Sequence, residues 1–378
     1  MSTVLKVSQK FAKEYNDQNL AMFANLQPEY TKMPLGALGF DLPLGGGIPY
    51  GNLITLAGPF ASGKTTMASA LLKKYQDENP DRTCVYVDVE RGFNSQFQAS
   101  ITGLDLSKLM YICPNGLSAE QILDLILELQ QTDDIGMIVL DSVPSLIPAE
   151  VMESSTEKDL GLRATVAKKL YAFGARMVDL VRQKNNIFCY ISQTRTKPVP
   201  GVRVPVIDIA GGDAVKYYSS LILVLKKRLW TKGDNVNLTN PEDCDGFRTS
   251  FSVFKSRIAD VRKAKGFITF RYGKGIDYEF DAIEEARTFG YIKRLSQQKY
   301  SLVNLETGEP YKDDKGNVLE LRGEPAIKKY FNDNPEFTKE YVNMILNYVK
   351  NNSQDTEPLD TTEYTLADED YEEFAEED

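Results

Sequence analysis

The chain has 378 residues, 42% of them hydrophobic, which suffices for one large domain with smaller additions. It contains no histidine, and its four cysteines (Cys84, Cys113, Cys189, Cys244) are far apart with no CxxC pair, so neither a zinc centre nor a disulfide framework is expected. The net charge of −10 argues against a nucleic-acid binder only until it is located: residues 351–378 carry 12 acidic and no basic side chains, and the rest of the chain is close to neutral.

Val4, Leu5, Val7, Phe11 and Tyr15 recur at roughly helical spacing, which predicts a short amphipathic helix over Thr3–Tyr15. A polar linker follows, to about residue 32. Such a helix either folds back on its own domain or docks on a neighbouring subunit. Leu35–Gly51 is dense in glycine and proline and reads as loop with short turns. Leu53–Ala57 is a short apolar run of the kind expected in a buried parallel strand. From there strands and helices alternate: strands at Thr83–Glu90, Leu109–Ile112, Ile135–Asp141 and Ile187–Gln193, helices at Ser118–Gln130 and Gly161–Gln183, and a short helix then a strand within Val215–Leu229. Alternating βα units predict an α/β core with a mainly parallel twisted sheet. Phe251–Phe254 and Gly266–Arg271 extend that sheet, joined by a basic segment. Beyond residue 280 the pattern becomes a hairpin (Tyr300–Leu305 with Val318–Leu321) and helices at Pro325–Asn332 and Pro335–Asn351. The predicted organisation is therefore an N-terminal helix and linker (1–32), an α/β core (33–280), a small C-terminal α/β domain (281–350) and a disordered acidic tail (351–378). No stretch resembles a signal peptide or is long enough to span a membrane, so a soluble protein of a reducing cytoplasm is expected.

The chemistry begins at Gly58-Pro-Phe-Ala-Ser-Gly-Lys-Thr65, which fits G-x-x-x-x-G-K-[ST] between a strand and a helix. Gly58 and Gly63 let the backbone turn its N–H groups inward as a nest for phosphate oxygens. Lys64 brings a cation to the β- and γ-phosphates, and the Thr65 hydroxyl suits Mg²⁺. Ile138–Asp141 is an apolar strand ending in a carboxylate, placed to reach the Mg²⁺ water shell. Glu90, at the end of another strand, can orient or deprotonate an attacking water. Gln193 follows a third strand, where an uncharged amide can sense a γ-phosphate. The segment after it, Thr194–Ala210, is expected to be a long irregular loop. It carries Arg195, Lys197 and Arg203 and ends at Gly211-Gly212, a composition suited to DNA phosphates.

Taken in order, Leu44–Gly51, Gly58–Thr65, Val87–Glu90, Val139–Val143, Ile191–Arg195 and Gly211–Tyr217 resemble the RecA family of strand-exchange recombinases, including the UvsX-type recombinases of bacteriophages. The resemblance runs from about Met33 to Asn351. It implies a RecA-like P-loop core and a DNA-dependent ATPase that uses ATP and Mg²⁺. It also implies a homo-oligomeric helical filament on single-stranded DNA that pairs with double-stranded DNA and exchanges strands. A ring-forming helicase or motor ATPase shares the core and is the alternative.

Residue by residue, the resemblance assigns Gly58, Pro59, Ser62, Gly63, Lys64, Thr65 and Thr66 to the triphosphate. Thr65 and Asp141 go to the metal, Glu90, Lys64 and Gln193 to catalysis, and Asn94, Phe97 and Tyr272 to the adenine. Lys255 and Arg257 match a basic pair that reaches ATP from the adjacent subunit. Lys168, Lys169, Arg195, Lys197, Arg203, Gly211, Gly212 and Asp213 are the implied DNA contacts, with Met152–Gly161 as a first DNA loop. Asn94 and Phe97 replace the Asp and Tyr usual in the bacterial recombinases, and Phe97 can stack but has no hydrogen bond to offer.

Overall fold

The computed structural model describes residues 3–14, 30–152, 162–197, 206–233, 235–238, 241–258, 264–288, 291–296, 298–305, 307–313 and 315–352. Two units separate by their contacts, Met1–Thr31 and Lys32–Asp378. The first holds helix α1 (Thr3–Glu14), with Val7 and Phe11 on its exposed surface.

The second unit opens with a small antiparallel pair, β1 (Lys32–Met33) and β2 (Ile48–Pro49). Between them lies a one-turn helix, α2 (Leu38–Asp41), which the glycine-rich composition conceals. Its buried Asp41 accepts from the Leu35 and Gly36 N–H groups (2.8 and 2.7 Å), and burial pushes that carboxyl up to about 7. The strand β3 (Asn52–Gly58) then feeds the phosphate-loop segment and helix α3 (Lys64–Glu78). There follow β4 (Thr83–Asp88), α4 (Ser95–Thr102), β5 (Leu109–Ile112), α5 (Ala119–Gln131), β6 (Ile135–Asp141), α6 (Ala149–Met152), α7 (Leu162–Lys184) and β7 (Ile187–Lys197). Helix α5 starts where Ser118 and Gln121 form a reciprocal capping box.

Next come β8 (Val206–Ile209), α8 (Gly212–Tyr218), β9 (Leu221–Leu225), β10 (Leu229–Lys232), β11 (Asn235–Leu238), β12 (Gly246–Ser256), β13 (Lys265–Arg271) and β14 (Gly275–Ile276). The C-terminal elements are α9 (Tyr278–Thr288), β15 (Ile292–Ser296), β16 (Lys299–Leu302), β17 (Leu321–Arg322), α10 (Gly323–Asp333) and α11 (Pro335–Asn352).

The main sheet runs β11-β10-β12-β9-β3-β7-β6-β4-β5, with β13 and β14 added at β12 and β8 at β7. From β9 to β5 the strands are parallel; β10 to β14 join antiparallel. Every residue of β3 and β6 is buried, because helices cover both faces. Ile54 and Leu56 pack with Met67, Leu71 and Tyr75 of α3, while Leu53, Val85 and Val87 pack on the other face with Ile122 of α5 and Phe173 of α7. A separate core joins Leu38 and Leu42 to the C-terminal helices through Ile283, Phe331, Tyr341 and Ile345. Cys84 and Cys189 are buried in strands, as their apolar surroundings predict.

Some expectations need correction. Thr194–Ala210 is not one irregular loop: Thr194–Lys197 pairs antiparallel with Val206–Ile209, so β7 and β8 form a ribbon around residues 198–205. The β-branched residues Thr194, Thr196, Val206, Ile207 and Ile209 favour strand there, against the prolines that lie between them. Glu90 lies beyond the end of β4, not within it. Helix α4, the hairpin β10–β11 and strand β15 are additional elements. Residues 153–161, 198–205 and 353–378, which include Arg203, most of the expected first DNA loop and most of the acidic tail, lie outside the described residues.

Candidate nucleotide site at the carboxyl edge of the sheet

Strand register brings the predicted site residues together. Gly58 on β3 pairs with Gln193 on β7, and Asp88 on β4 pairs with Asp141 on β6, all at the carboxyl ends of neighbouring parallel strands. This is where open α/β sheets bind ligands, beyond the strand ends and against helix N-termini. Helix α3 begins at Lys64 with Gly63 as its N-cap in the left-handed region (φ 87°). A Cβ on Gly63 would meet the Thr249 hydroxyl of β12 at 2.5 Å, and one on Gly58 would meet Leu225 O at 2.8 Å. Both glycines are thus required by close approach.

The Lys64 ammonium donates to the carbonyls of Gly58 (3.1 Å) and Pro59 (2.6 Å), so the cation is folded into its own loop. Burial lowers its pKa, opposed by Asp141 and Glu90. Thr65 Oγ1 donates to Asp141 Oδ2 at 3.2 Å, and the buried Tyr86 hydroxyl donates to the same oxygen. Burial pushes the Asp141 carboxyl up to about 6, with the Tyr86 hydrogen bond working against that rise. Glu90 is exposed; its Oε2 accepts from Ser142 Oγ at 2.8 Å, and its backbone N–H donates to Asp141 O at 3.2 Å. Asp88 holds the turn that follows, accepting from the N–H groups of Arg91 (2.7 Å) and Phe93 (2.9 Å) and from the Tyr111 hydroxyl (2.9 Å).

A divalent cation fits this chemistry as a guest shared with phosphate. The donors are hard oxygens, one hydroxyl and one carboxylate, and among the described residues no group of three or more Asp, Glu, Cys or His could hold a metal alone.

Asn94 caps α4, accepting from Phe97 N–H at 3.0 Å, and Phe97 is 41% exposed. Tyr272, 39% exposed, leads the turn into β14. That turn packs against α4, since a Cβ on Gly275 would lie 3.2 Å from Ile101 O. The three implied adenine residues therefore sit on two segments in contact.

Lys255 and Arg257 are not brought to this edge. Lys255 pairs with Ile222 on β9, which pairs with Thr55 on β3, three residues before Gly58, and Arg257 lies two residues further back. At about 3.3 Å per residue, this puts Lys255 roughly 10 Å back along the strands and Arg257 further still, toward the amino edge. There Lys255 Nζ donates to the last carbonyls of α8, at Lys216 and Tyr217, and Arg257 lies over the Tyr217 ring at 5.3 Å. Burial, and then the Arg257 charge, lower the Lys255 pKa to about 8.

On the DNA side, Arg195 is exposed on β7, two residues beyond Gln193, and Lys197 ends that strand. Gly211 (φ 102°) and Gly212 open α8. Asp213 pairs with Lys216 at 3.0 Å, which balances the charge it brings to this turn. Lys168 and Lys169 are exposed on α7, and Lys169 lies 3.7 Å from Glu120. Tyr86 and Ser142 escaped the sequence reading. Each looks like an ordinary strand or turn residue, and only strand pairing places it on a carboxylate.

A phosphate-loop sequence between strand and helix on a doubly covered, mostly parallel sheet defines a P-loop α/β protein. The family model described as the RecA N-terminal domain matches residues 3–277. The chain belongs to the RecA family. Members of this family bind DNA, form filaments and use ATP with Mg²⁺ in recombination and repair. Protein RecA of Bifidobacterium longum is 28% identical over 330 residues, 86% of this chain and 75% of that protein. Protein RecA of Mycoplasma genitalium is 30% identical over 307 residues, 79% of this chain and 85% of that protein. Among solved structures, that of the RadB recombinase aligns with a TM-score of 0.45 at 22% identity, over 65% of this chain and 98% of that one. No helix among the described residues is long and apolar enough to cross a membrane.

Proposed function

We propose that this protein is a DNA-dependent ATPase that polymerises as a helical filament on single-stranded DNA, pairs it with homologous duplex and exchanges strands. The observation that carries the proposal is β7. Gln193 lies beside the phosphate loop, and the same strand runs on without a break into the β7–β8 ribbon that bears Arg195 and Lys197. One rigid element thus spans the nucleotide edge and the segment suited to DNA phosphates.

In this reading the nest of Gly58–Thr65 N–H groups, with Thr66 on the first turn of α3, cradles the triphosphate. Lys64 exchanges its carbonyl partners for phosphate oxygens. Thr65 and Asp141 would hold Mg²⁺, which when bound would supply charge neutralisation at the β- and γ-phosphates. Glu90, steadied on one oxygen by Ser142, orients the attacking water with the other. Gln193 reports the γ-phosphate. Asn94, Phe97 and Tyr272 frame the adenine. Lys255 and Arg257, remote from their own loop, complete the site of the next subunit. Helix α1 docks on a neighbour, elements from α9 onward act as a small C-terminal domain, and the acidic tail competes with DNA.

The test images the protein on long single-stranded DNA with a slowly hydrolysed ATP analogue and measures ATP turnover with and without that DNA. Open helical filaments and DNA-stimulated turnover are expected. Closed rings that translocate along DNA would instead identify a motor ATPase.

A further inference from the structure

Arg271 is nearly buried (8% exposed) at the end of β13, directly before Tyr272. Its guanidinium donates four hydrogen bonds to groups from separate segments. Nε donates to Asp277 Oδ2 at 2.8 Å, beyond β14. Nη1 donates to Thr231 Oγ1 of β10 at 2.9 Å and to Asp245, just ahead of β12. Nη2 donates to Gly233 O in the β10–β11 turn. The backbone repeats the pattern: Tyr272 N–H donates to Asp245 O at 2.9 Å, and Lys274 N–H to Arg271 O at 3.1 Å. Asp245 also accepts from Gly233 N–H at 2.7 Å. One planar fork therefore grips the Tyr272 turn from both sides and ties it to the β10–β11 hairpin, for which the nucleotide reading has no other use. A lysine could not do the same, since it offers one point charge in place of a fixed fork.

We propose that Arg271 is a positioning residue for the nucleobase platform. Through Asp245 and Asp277 it fixes the Tyr272 ring against the turn that packs on α4, and so sets the affinity for the base without touching the phosphates. The inference rests on the reading of Tyr272 as an adenine-framing residue. If it holds, loss of the fork weakens binding of whole nucleotides and leaves binding of the bare phosphate chain intact.

The experiment uses the full-length protein and measures, for each variant, ADP affinity, inorganic tripolyphosphate affinity, and KM and kcat for ATP with saturating single-stranded DNA. Arg271→Lys and Asp245→Asn are each expected to weaken ADP five- to tenfold and raise KM for ATP similarly. Tripolyphosphate affinity and kcat should stay within twofold. Tyr272→Ala should reproduce this split. If Tyr272→Ala shows the split while both other variants bind ADP as the parent does, Arg271 has no such role and the base reading survives. If Tyr272→Ala leaves ADP affinity unchanged, the base reading falls, and this inference with it. A loss of tripolyphosphate binding equal to that of ADP would mark general unfolding and overturn the positioning role. Should Arg271→Lys fail to fold, Asp245→Asn decides alone, because that aspartate is 45% exposed.

Discussion

The two halves of the main sheet handle buried charge in opposite ways. In the parallel half, the acidic strand ends have partners: Asp88 accepts from backbone N–H groups and Tyr111, and Asp141 from Tyr86 and Thr65. In the antiparallel half and the helix packed on it, carboxylates are buried with fewer. Asp281 of α9 accepts from Thr269 N–H at 3.2 Å on one oxygen, while its other oxygen is buried without a hydrogen bond, and burial drives its pKa well up. Glu285, one helical turn on, is raised to about 7 by burial and then by Glu284. Buried polar groups without partners cost stability. The carboxylates at the parallel edge are held by hydrogen bonds, whereas those of α9 carry their burial as a structural cost.

The largest expected effect breaks the parallel edge. Lys64→Ala should lower DNA-stimulated ATP turnover by about 10²–10³-fold or more, the size of losing one group aimed at transition-state charge. Parental turnover by that variant would dismiss the site. Glu90→Gln should cut turnover by about 10²-fold, in the range of a lost general base, while leaving filament assembly with ATP intact; a variant that no longer assembles would give Glu90 a role in binding instead.

Crossing to the amino edge, Lys255→Ala and Arg257→Ala should keep nucleotide affinity in isolated subunits and lose DNA-stimulated turnover by about tenfold or more. Mixing either with Lys64→Ala subunits should restore part of the activity, since one supplies cations and the other an intact loop. No recovery in filaments with both variants labelled would confine these cations to their own subunit.

The smallest effect sharpens the contrast in charge. A folded pKa of about 7 for Glu285, above the ordinary 4.5, means that the folded chain holds this proton more tightly than the unfolded one. Its contribution to stability is therefore fully present below about pH 4.5 and is lost as pH rises to about 7. Glu285→Gln should leave the melting temperature unchanged at pH 4.5 and raise stability at pH 8 by about 1–3 kcal/mol. An equal shift at both pH values would trace the effect to packing.

The same division explains what the sequence disclosed. The parallel strands read as unbroken apolar runs, so β3, β6 and the start of β7 could be placed from residue types alone. Strand β12 alternates between buried and half-buried positions, and β10 and β11 are only four residues long, so their pattern is weak. Helix α4 follows a turn held by Asp88, a contact invisible in composition. In the site, Gly58–Thr65 and Asp141 were legible because spacing encodes their chemistry. Ser142, Tyr86 and Arg271 act through pairing with residues 50 or so positions away, or with several segments at once, and no local pattern records that.

Strand β7 has one more consequence. Gln193 and Arg195 are two residues apart on an extended strand, so their side chains leave the same face about 7 Å from each other, with no joint between them. If one group reads the nucleotide and the other the DNA, the two ligands share a single free-energy coupling, and that coupling is reciprocal. Whatever factor ATP adds to the affinity for single-stranded DNA, the DNA must add to the affinity for ATP.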